Sequence, residues 1–313
     1  MRAVGIDLGG TKMSIGVVES DGRLIDEYRV PKPDTWKEMK ALILKGVRNF
    51  QEKYEIAAVG FGAAGLIDLD GYAFYSPNVA AFDEGAPLSK DLSDELDIPV
   101  FVDNDNNCSG LAEVLFGSAR GESNVLTVGL GTGIGGSIFI DGRLMRGAHG
   151  FAGELGHFTM DVDGPLCACG QYGCFEAFAS GTALGRIGRE FAARGDADNV
   201  LREAGSIDAI TGTHVGVTAA RGDADGVAIM DEFAQNVARG LVSLNNIFDP
   251  SVIVISGGVV ELGDTLLGPV TKHFLDNIEG GVSRPLPRIV FAQFGENAGL
   301  IGAGALALTR LSA

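Results

Sequence analysis

The sequence predicts an α/β fold made of two duplicated domains, and three observations lead there. Short buried-type strands alternate with longer amphipathic helices. Gly-rich turns follow the carboxyl ends of strands, where ligands of open α/β sheets collect. One layout also occurs twice. Residues 6–24 (IDLGGTKMSIGVVESDGRL) and 128–144 (VGLGTGIGGSIFIDGRL) both read strand, Gly/Thr turn, strand, Asp-Gly-Arg-Leu. At 313 residues there is room for two sizeable cores. The Gly/Ser/polar stretch from Phe116 to Asn124 marks the boundary. The division expected is a small N-terminal domain of 1–117 completed by 298–313, and a larger domain of 118–297.

Composition narrows the function. Hydrophobic residues make up 46% and charged residues 21%, as in a folded globular chain. A net charge of −17 argues against nucleic acid, whose phosphates need a basic surface. MRAVGIDLGG has no apolar leader, and no run of about 18 apolar residues could span a membrane. A cytoplasmic protein with no membrane or nucleic-acid partner is expected.

Taken in order, Ala3–Leu8, Met13–Glu19 and Leu24–Val30 read as a meander of three strands. The turn between the first two, Gly9-Gly10-Thr11-Lys12, is either a plain hairpin or a loop whose N–H groups, hydroxyl and cation hold phosphate. It is no Walker A loop, because a strand follows it. Asp7 is either a turn cap or a carboxylate placed to hold Mg²⁺ through water. Trp36 to Tyr54 is a helix with Met39, Ile43, Val47, Phe50 and Tyr54 on one face. Ala57–Phe61 is a strand running into Gly62-Ala63-Ala64-Gly65. Pro77-Asn78 falls in a later turn. Ile98–Val102 is a strand that ends in Asp103-Asn104-Asp105-Asn106-Asn107, which reads as a helix cap or as a ligand site.

In the second half, Val125–Asp141 contains G-x-G-x-x-G (Gly131, Gly133, Gly136). A dinucleotide fingerprint needs a helix next and here a strand follows, so that reading fails. Thr132-Gly133 then faces Gly9–Lys12 as the matching turn of the repeat. Helices are expected at Ser180–Arg194, Asp223–Ile247 and Ala298–Leu311. Strands are expected at Ser251–Ser256, ending in Gly257-Gly258, and at Arg288–Phe294. Four helix-strand units around a central sheet fit an α/β class.

The densest chemistry lies between Glu154 and Glu176. Cys167, Cys169 and Cys174 are spaced C-x-C-x4-C, with His157 ten residues before the first. Three thiolates and one imidazole suit tetrahedral Zn²⁺ and leave no open position, so the metal would be structural. Cys108, the fourth Cys, reads as a core thiol.

IDLGGTK, DNDNN, GLGTGIGG, ELGH and CACGQYGCFE together make the chain resemble the ROK family of bacterial sugar kinases and repressors, nearest to its glucokinases. The resemblance runs essentially full length. It implies the duplicated actin-like ATPase (ribonuclease H-like) fold of two domains around a central cleft. It implies ATP-dependent phosphorylation of glucose at the 6-hydroxyl, with Mg²⁺ and structural Zn²⁺ in a homodimer or homotetramer. The catalytic base would be Asp105. The sugar would meet Gly65, Asn78, Asn104, Asp105, Glu154, His157 and Glu176. Zinc would be held by His157, Cys167, Cys169 and Cys174. Nucleotide phosphates would meet Gly9, Gly10, Thr11, Lys12, Thr132 and Gly133, the adenosine end would meet Gly257 and Gly258, and Asp7 would join this cofactor site through Mg²⁺.

Two positions depart from the family's run. Asp103 replaces Glu and Asn106 replaces Ala, and neither is expected to touch the base. Losing zinc should loosen the sugar site and leave the ATP turns intact. Other acceptors (fructose, mannose, N-acetylmannosamine, N-acetylglucosamine) and polyphosphate as donor stay open. So does a non-catalytic sugar sensor. A sugar-responsive repressor would need a helix-turn-helix ahead of the first strand, which begins within three residues of Met1.

Overall fold

A computed structural model describes residues 1–76 and 79–312. The chain divides into two compact units. One comprises Met1–Ser123, Ser137–Gly153 and Gln293–Ala313, and the other Asn124–Gly136 and Glu154–Ala292.

The first unit opens with β1 (Arg2–Leu8), β2 (Lys12–Glu19) and β3 (Leu24–Pro31), the meander expected. Next come α1 (Trp36–Gln51), β4 (Ala58–Ala63), the small hairpin of β5 (Leu66–Ile67) and β6 (Ala73–Tyr75), α2 (Leu88–Leu96), β7 (Val100–Asn104) and α3 (Asp105–Leu115). The strands form one sheet in the order β3-β2-β1-β4-β7, antiparallel through the meander and parallel from β1 to β7. Register aligns the carboxyl ends: Asp7 pairs with Gly62, and Gly62 with Asp103. That alignment gathers the polar residues at one edge of the sheet. Met39, Ile43, Val47 and Phe50 of α1 are buried on this sheet, as their spacing predicts. The helix stops at Gln51, short of Tyr54, whose hydroxyl instead donates to Asp26 at 3.2 Å.

The second half supplies β8 (Val125–Leu130), β9 (Ile134–Ile140) and β10 (Arg143–Leu144). Helices α4 (Phe175–Ala179), α5 (Gly181–Arg194), α6 (Asp198–Ala204), α7 (Gly212–Ala220) and α8 (Ala224–Phe248) follow. The chain ends with β11 (Val252–Ser256), α9 (Asp264–Asn277), β12 (Arg288–Phe291) and α10 (Ala298–Leu311). The second sheet has the order β10-β9-β8-β11-β12, with β11 parallel to both neighbours. The repeat is therefore topological: each sheet sets a meander beside two parallel strands. Two five-stranded sheets carry the fold, in line with the duplicated hairpin of the sequence.

The last strand is also shorter than expected. The N–H groups of Gln293 and Phe294 donate to Glu113 Oε1, both at 2.9 Å, and so leave the ladder. Glu113 is 2% exposed, so its carboxylate needs such donors.

Helix α10 packs on β1, β4 and α3 within the first unit. Glycines allow the approach. A Cβ on Gly60 would lie 1.7 Å from Ala303 O, and one on Gly302 would lie 1.7 Å from Cys108 O. No helix among the described residues is long and apolar enough to cross a membrane.

Candidate active site and metal centre

In the first unit, the polar edge is built where β7 turns into α3. Asn104 is the N-cap of α3, and its Oδ1 accepts the N–H of Asn106 at 2.8 Å and of Asn107 at 3.3 Å. Its Nδ2 donates to Gly65 O at 3.1 Å. The cap expected of this run is formed by Asn104. Gly65 has φ +114, and a Cβ there would lie 2.2 Å from Tyr75 O, so only glycine fits. Asn78 lies outside the described residues.

Asp105 is the first residue of α3, beside its amino end, a position that favours a carboxylate. Its Oδ1 accepts from Asn106 N at 3.0 Å and from Asn106 Nδ2 at 3.1 Å. This corrects the expectation that Asn106 stays clear of the base. An Asn at this position adds a side-chain donor to the carboxylate that an Ala cannot.

Asp103, 4% exposed, sits beneath this turn. Its Oδ1 accepts from Asn104 N at 2.9 Å and from Asn107 Nδ2 at 2.7 Å, while Oδ2 accepts from Arg146 Nε. Arg146 escaped the sequence reading, because nothing in its own neighbourhood marks it as a partner for residue 103. Asp103 itself does not contact Asp105 by any hydrogen bond among these. It holds the turn that carries it.

Asp7 closes the group at the end of β1. Burial pushes its carboxyl up to about 7, the Asp105 charge adds to this, and Arg29 opposes it. Gly299 of α10 makes room for it, since a Cβ there would lie 2.5 Å from Asp7 Oδ1. Gly9 N donates to Lys12 O at 3.0 Å, closing the turn, while Gly10, Thr11 and Lys12 are exposed to solvent. Cys108 is a core thiol, as expected, and burial raises its pKa well above the usual range.

The second unit holds a cavity of about 860 Å³. Gly131 and Thr132 form one side, the start of α5 (Gly181, Thr182) another, and Gly258 with Val259 a third. Gly131 N donates to Gly133 O at 2.9 Å, which closes the turn on itself. Gly181 N donates to Gly131 O at 2.7 Å, and Thr182 Oγ1 to Thr132 O at 2.7 Å. The turn is thus tied to a helix N-terminus, where backbone N–H groups favour anions. Gly257 has φ +87, and a Cβ there would lie 2.4 Å from Leu130 O. Thr182, Arg189, Thr211 and Thr265 also line the cavity and were not singled out in the sequence. The Ser180 cap, whose Oγ accepts Ala183 N at 3.1 Å, was the available signal for Gly181 and Thr182.

In the same unit, one ligand atom each from His157, Cys167, Cys169 and Cys174 lies within 4.8 Å of all the others. His157 Nδ1 faces Cys167 Sγ at 3.8 Å, and Cys169 Sγ lies 3.7 Å from Cys174 Sγ. A Cys3His set of this spacing suits a tetrahedral Zn²⁺ with no open position. Nδ1 being turned to the sulfurs leaves Nε2 on the Glu154 side, 3.9 Å from Glu154 Oε2. Burial raises the Glu154 pKa, with Glu176 adding and His157 opposing. The loop owes its shape to Gly173, at φ +71, where a Cβ would lie 1.5 Å from Asp161 O. Glu176 Oε2 accepts the Ile134 N–H at 2.8 Å, and Oε1 lies 3.3 Å from Cys167 Sγ.

The chain is similar to curated glucokinases over nearly its whole length. The Streptomyces coelicolor glucokinase is 38% identical over 308 residues, spanning 97% of this chain and 96% of that one. The Thermotoga maritima glucokinase is 32% identical over 314 residues, spanning 99% and 98%. Among solved structures, a ROK family glucokinase from Streptomyces griseus in complex with glucose and AMPPNP aligns with TM-score 0.84 and 37% identity. That alignment covers 99% of this chain and all of the other. These likenesses and the twofold sheet topology bear out the actin-like sugar kinase fold. With the ROK family profile matching residues 3–310, the chain belongs to the ROK family.

Proposed function

We infer that the chain is an ATP-dependent hexokinase-type kinase that phosphorylates glucose at the 6-hydroxyl. The observation that carries this is the likeness, along nearly the whole chain, to glucokinases, one of them described with glucose and AMPPNP. Asp105 at the start of α3 supports it, as a carboxylate on a capped turn anchored by the buried Asp103. In our reading Asp105 accepts the proton of the 6-hydroxyl as the new O–P bond forms, an effect of roughly 10²–10⁴ in rate. Asn104, the Gly65 loop, Asn78, Glu154, His157 and Glu176 hold the sugar. The carboxylates act as acceptors for its hydroxyl donors.

Nucleotide phosphates meet the turns at Gly9–Lys12 and Thr132–Gly133, and the nucleoside fills the cavity edged by Gly257 and Gly258. That cavity joins threonine hydroxyls to apolar walls (Leu184, Val217, Val259, Leu262), with Arg189 as the cation among its described lining residues. A polyphosphate chain would need a row of cations, so ATP is the better fit. Asp7 would help to hold Mg²⁺ through water, and bound Mg²⁺ supplies charge neutralisation on the transferring phosphoryl group. His157, Cys167, Cys169 and Cys174 would hold a structural Zn²⁺ that fixes the loop bearing Glu154 and Glu176. We place the enzyme in the cytoplasm as a homodimer or homotetramer.

The deciding experiment is coupled ADP release with ATP and Mg²⁺ against a panel of hexoses and N-acetylhexosamines. The highest kcat/KM should be with glucose. A clear preference for another sugar would move the specificity, and no turnover with any sugar would overturn the kinase reading.

A further inference from the structure

Glu176 stands at a junction that its place as a sugar contact does not explain. It lies two residues past Cys174, in the first turn of α4. Its Oε2 takes the Ile134 N–H at 2.8 Å, the first N–H of β9 after the Gly131–Gly133 turn. Its Oε1 lies 3.3 Å from Cys167 Sγ. Its main-chain oxygen accepts the Ser180 N–H at 3.1 Å. Ser180 caps α5, whose Gly181 and Thr182 are bonded back to Gly131 and Thr132. One residue thus touches a metal-ligating cysteine, the Gly-rich turn and the cap of the helix that lines the nucleotide cavity.

The contact is close. A Cβ on Gly133 would lie 2.3 Å from Glu176 Oε2, so the bare glycine backbone lies directly against the carboxylate. Close packing of this kind transmits small displacements rather than absorbing them. A carboxylate–amide bond is also among the stronger hydrogen bonds, since its acceptor is charged. This side chain is one route from the cysteine knot to the turn. Others run through the backbone of α4, from Cys174 to Gly181, and through Gly156 beside His157, where a Cβ would lie 2.3 Å from Ile134 O.

We propose that Glu176 is a positioning residue that couples metal occupancy of the Cys3His knot to nucleotide affinity at the Gly131–Ile134 turn. The proposal rests on the zinc and nucleotide assignments above. It replaces the expectation that metal loss spares the ATP turns. With the knot loaded, Cys167 and the start of α4 are fixed, Glu176 is held, and the turn is presented in one conformation. With the knot empty, Cys174 no longer pins the start of α4 beneath Glu176 and the turn samples others, while the Cys167 S–H can then donate to Oε1, a bond the metal-bound thiolate cannot make.

The test is calorimetric titration of AMPPNP without sugar, so that the sugar contacts of Glu176 do not enter. Zinc-loaded and chelated forms of the wild type, Glu176→Gln and Glu176→Ala are compared, with metal content measured for each. Chelation should weaken nucleotide binding to the wild type by about tenfold. Glu176→Ala should bind about tenfold more weakly even when loaded, and chelation should change its affinity less than about twofold. Glu176→Gln keeps an amide oxygen for the Ile134 N–H and should stay within about threefold of the loaded wild type. Unchanged wild-type affinity on chelation overturns the proposal. So does a full metal dependence in Glu176→Ala, which would assign the coupling to the other routes. If Glu176→Ala does not fold, amide exchange in the wild type decides. Faster exchange at 131–134 on chelation supports the coupling, and unchanged exchange there refutes it. Purified protein that never binds zinc would instead refute the metal assignment, which elemental analysis reads directly.

Discussion

At the scale of single residues, the turn from Asp103 to Asn107 shows why a motif is legible and its mechanics are not. That Asp105 follows a strand and opens a helix is visible in the pattern of apolar residues before it. That Asn106 donates twice to Asp105 depends on the cap conformation set by Asn104, which sequence spacing does not encode. The Asp103–Arg146 pair spans 43 positions and leaves no local trace. If Asp105 is the base, Asp105→Asn should abolish turnover while glucose affinity stays within a few fold. Measurable turnover in that variant would remove it from the role. Asp103 acts through geometry, so Asp103→Asn should lower kcat by about 10–100-fold with a smaller change in KM for glucose. Steady-state kinetics showing wild-type kcat would leave the pair without a catalytic consequence. Arg146→Ala leaves the buried Asp103 carboxylate without that counter-charge, and urea unfolding should show a loss of roughly 3 kcal/mol. Asp7 adds a pH signature. Its folded pKa of about 7 stands above the ordinary carboxylate value of 3.8, so the unfolded chain ionises first as pH rises. In metal-free protein, its contribution to stability is therefore fully retained below about pH 4 and lost as pH rises toward 7. Asp7→Asn should become progressively more stable than the wild type across that window, then level off. A stability difference independent of pH would contradict a buried, protonated Asp7.

At the scale of elements, the strands and long helices of the first unit were legible because their apolar periods are strong. Most of the helices missed have weak signals, although α2 carries a clear stripe of Leu88, Leu92 and Leu96. Helices α6 and α7 are 7 and 9 residues long, too short for a clear period. Helix α9 opens after Gly263 and carries Pro269 in its interior, a combination that reads as a loop. Strand β12 was drawn too long because the apolar run continues to Phe294, and the Glu113 carboxylate that diverts it lies 180 positions away. The small-residue pattern of α10, by contrast, did announce close packing, and the structure gives that packing a magnitude. An exposed helical Gly→Ala change gains up to about 1 kcal/mol in helix propensity. At Gly302 the added methyl would lie 1.7 Å from Cys108 O, a backbone atom that cannot step aside. Overpacking of this kind costs about 1–3 kcal/mol and outweighs the propensity gain. Gly302→Ala should lower Tm by several degrees, and a thermal melt that rises instead would mean α10 has room to move.

At the scale of the whole molecule, the repeat in the sequence was the most informative signal, because two similar hairpins about 120 residues apart imply two similar sheets. The division expected from the sequence falls at 117 and 297, within the Phe116–Asn124 stretch and before α10, and the compact units part after Ser123 and exchange chain again at 136, 153 and 292. The chain passes between the units four times, and β9 spans one of those passages, from Ile134 in the second unit to Ile140 in the first. The metal ligands all belong to the second unit. Binding to the folded state adds stability only to what unfolds with the site, so metal removal should act unevenly. Hydrogen exchange after chelation should rise first in residues 154–182 and at the 131–134 turn. Protection in β1, β4 and β7, whose core residues include Ile6, Val59 and Phe61 at 0% exposure, should persist. Equal loss of protection in both sheets would show instead that the four crossings bind the units into one cooperative structure. In that case the knot would stabilise the enzyme as a whole, and its influence on the nucleotide turn would no longer be separable from global folding.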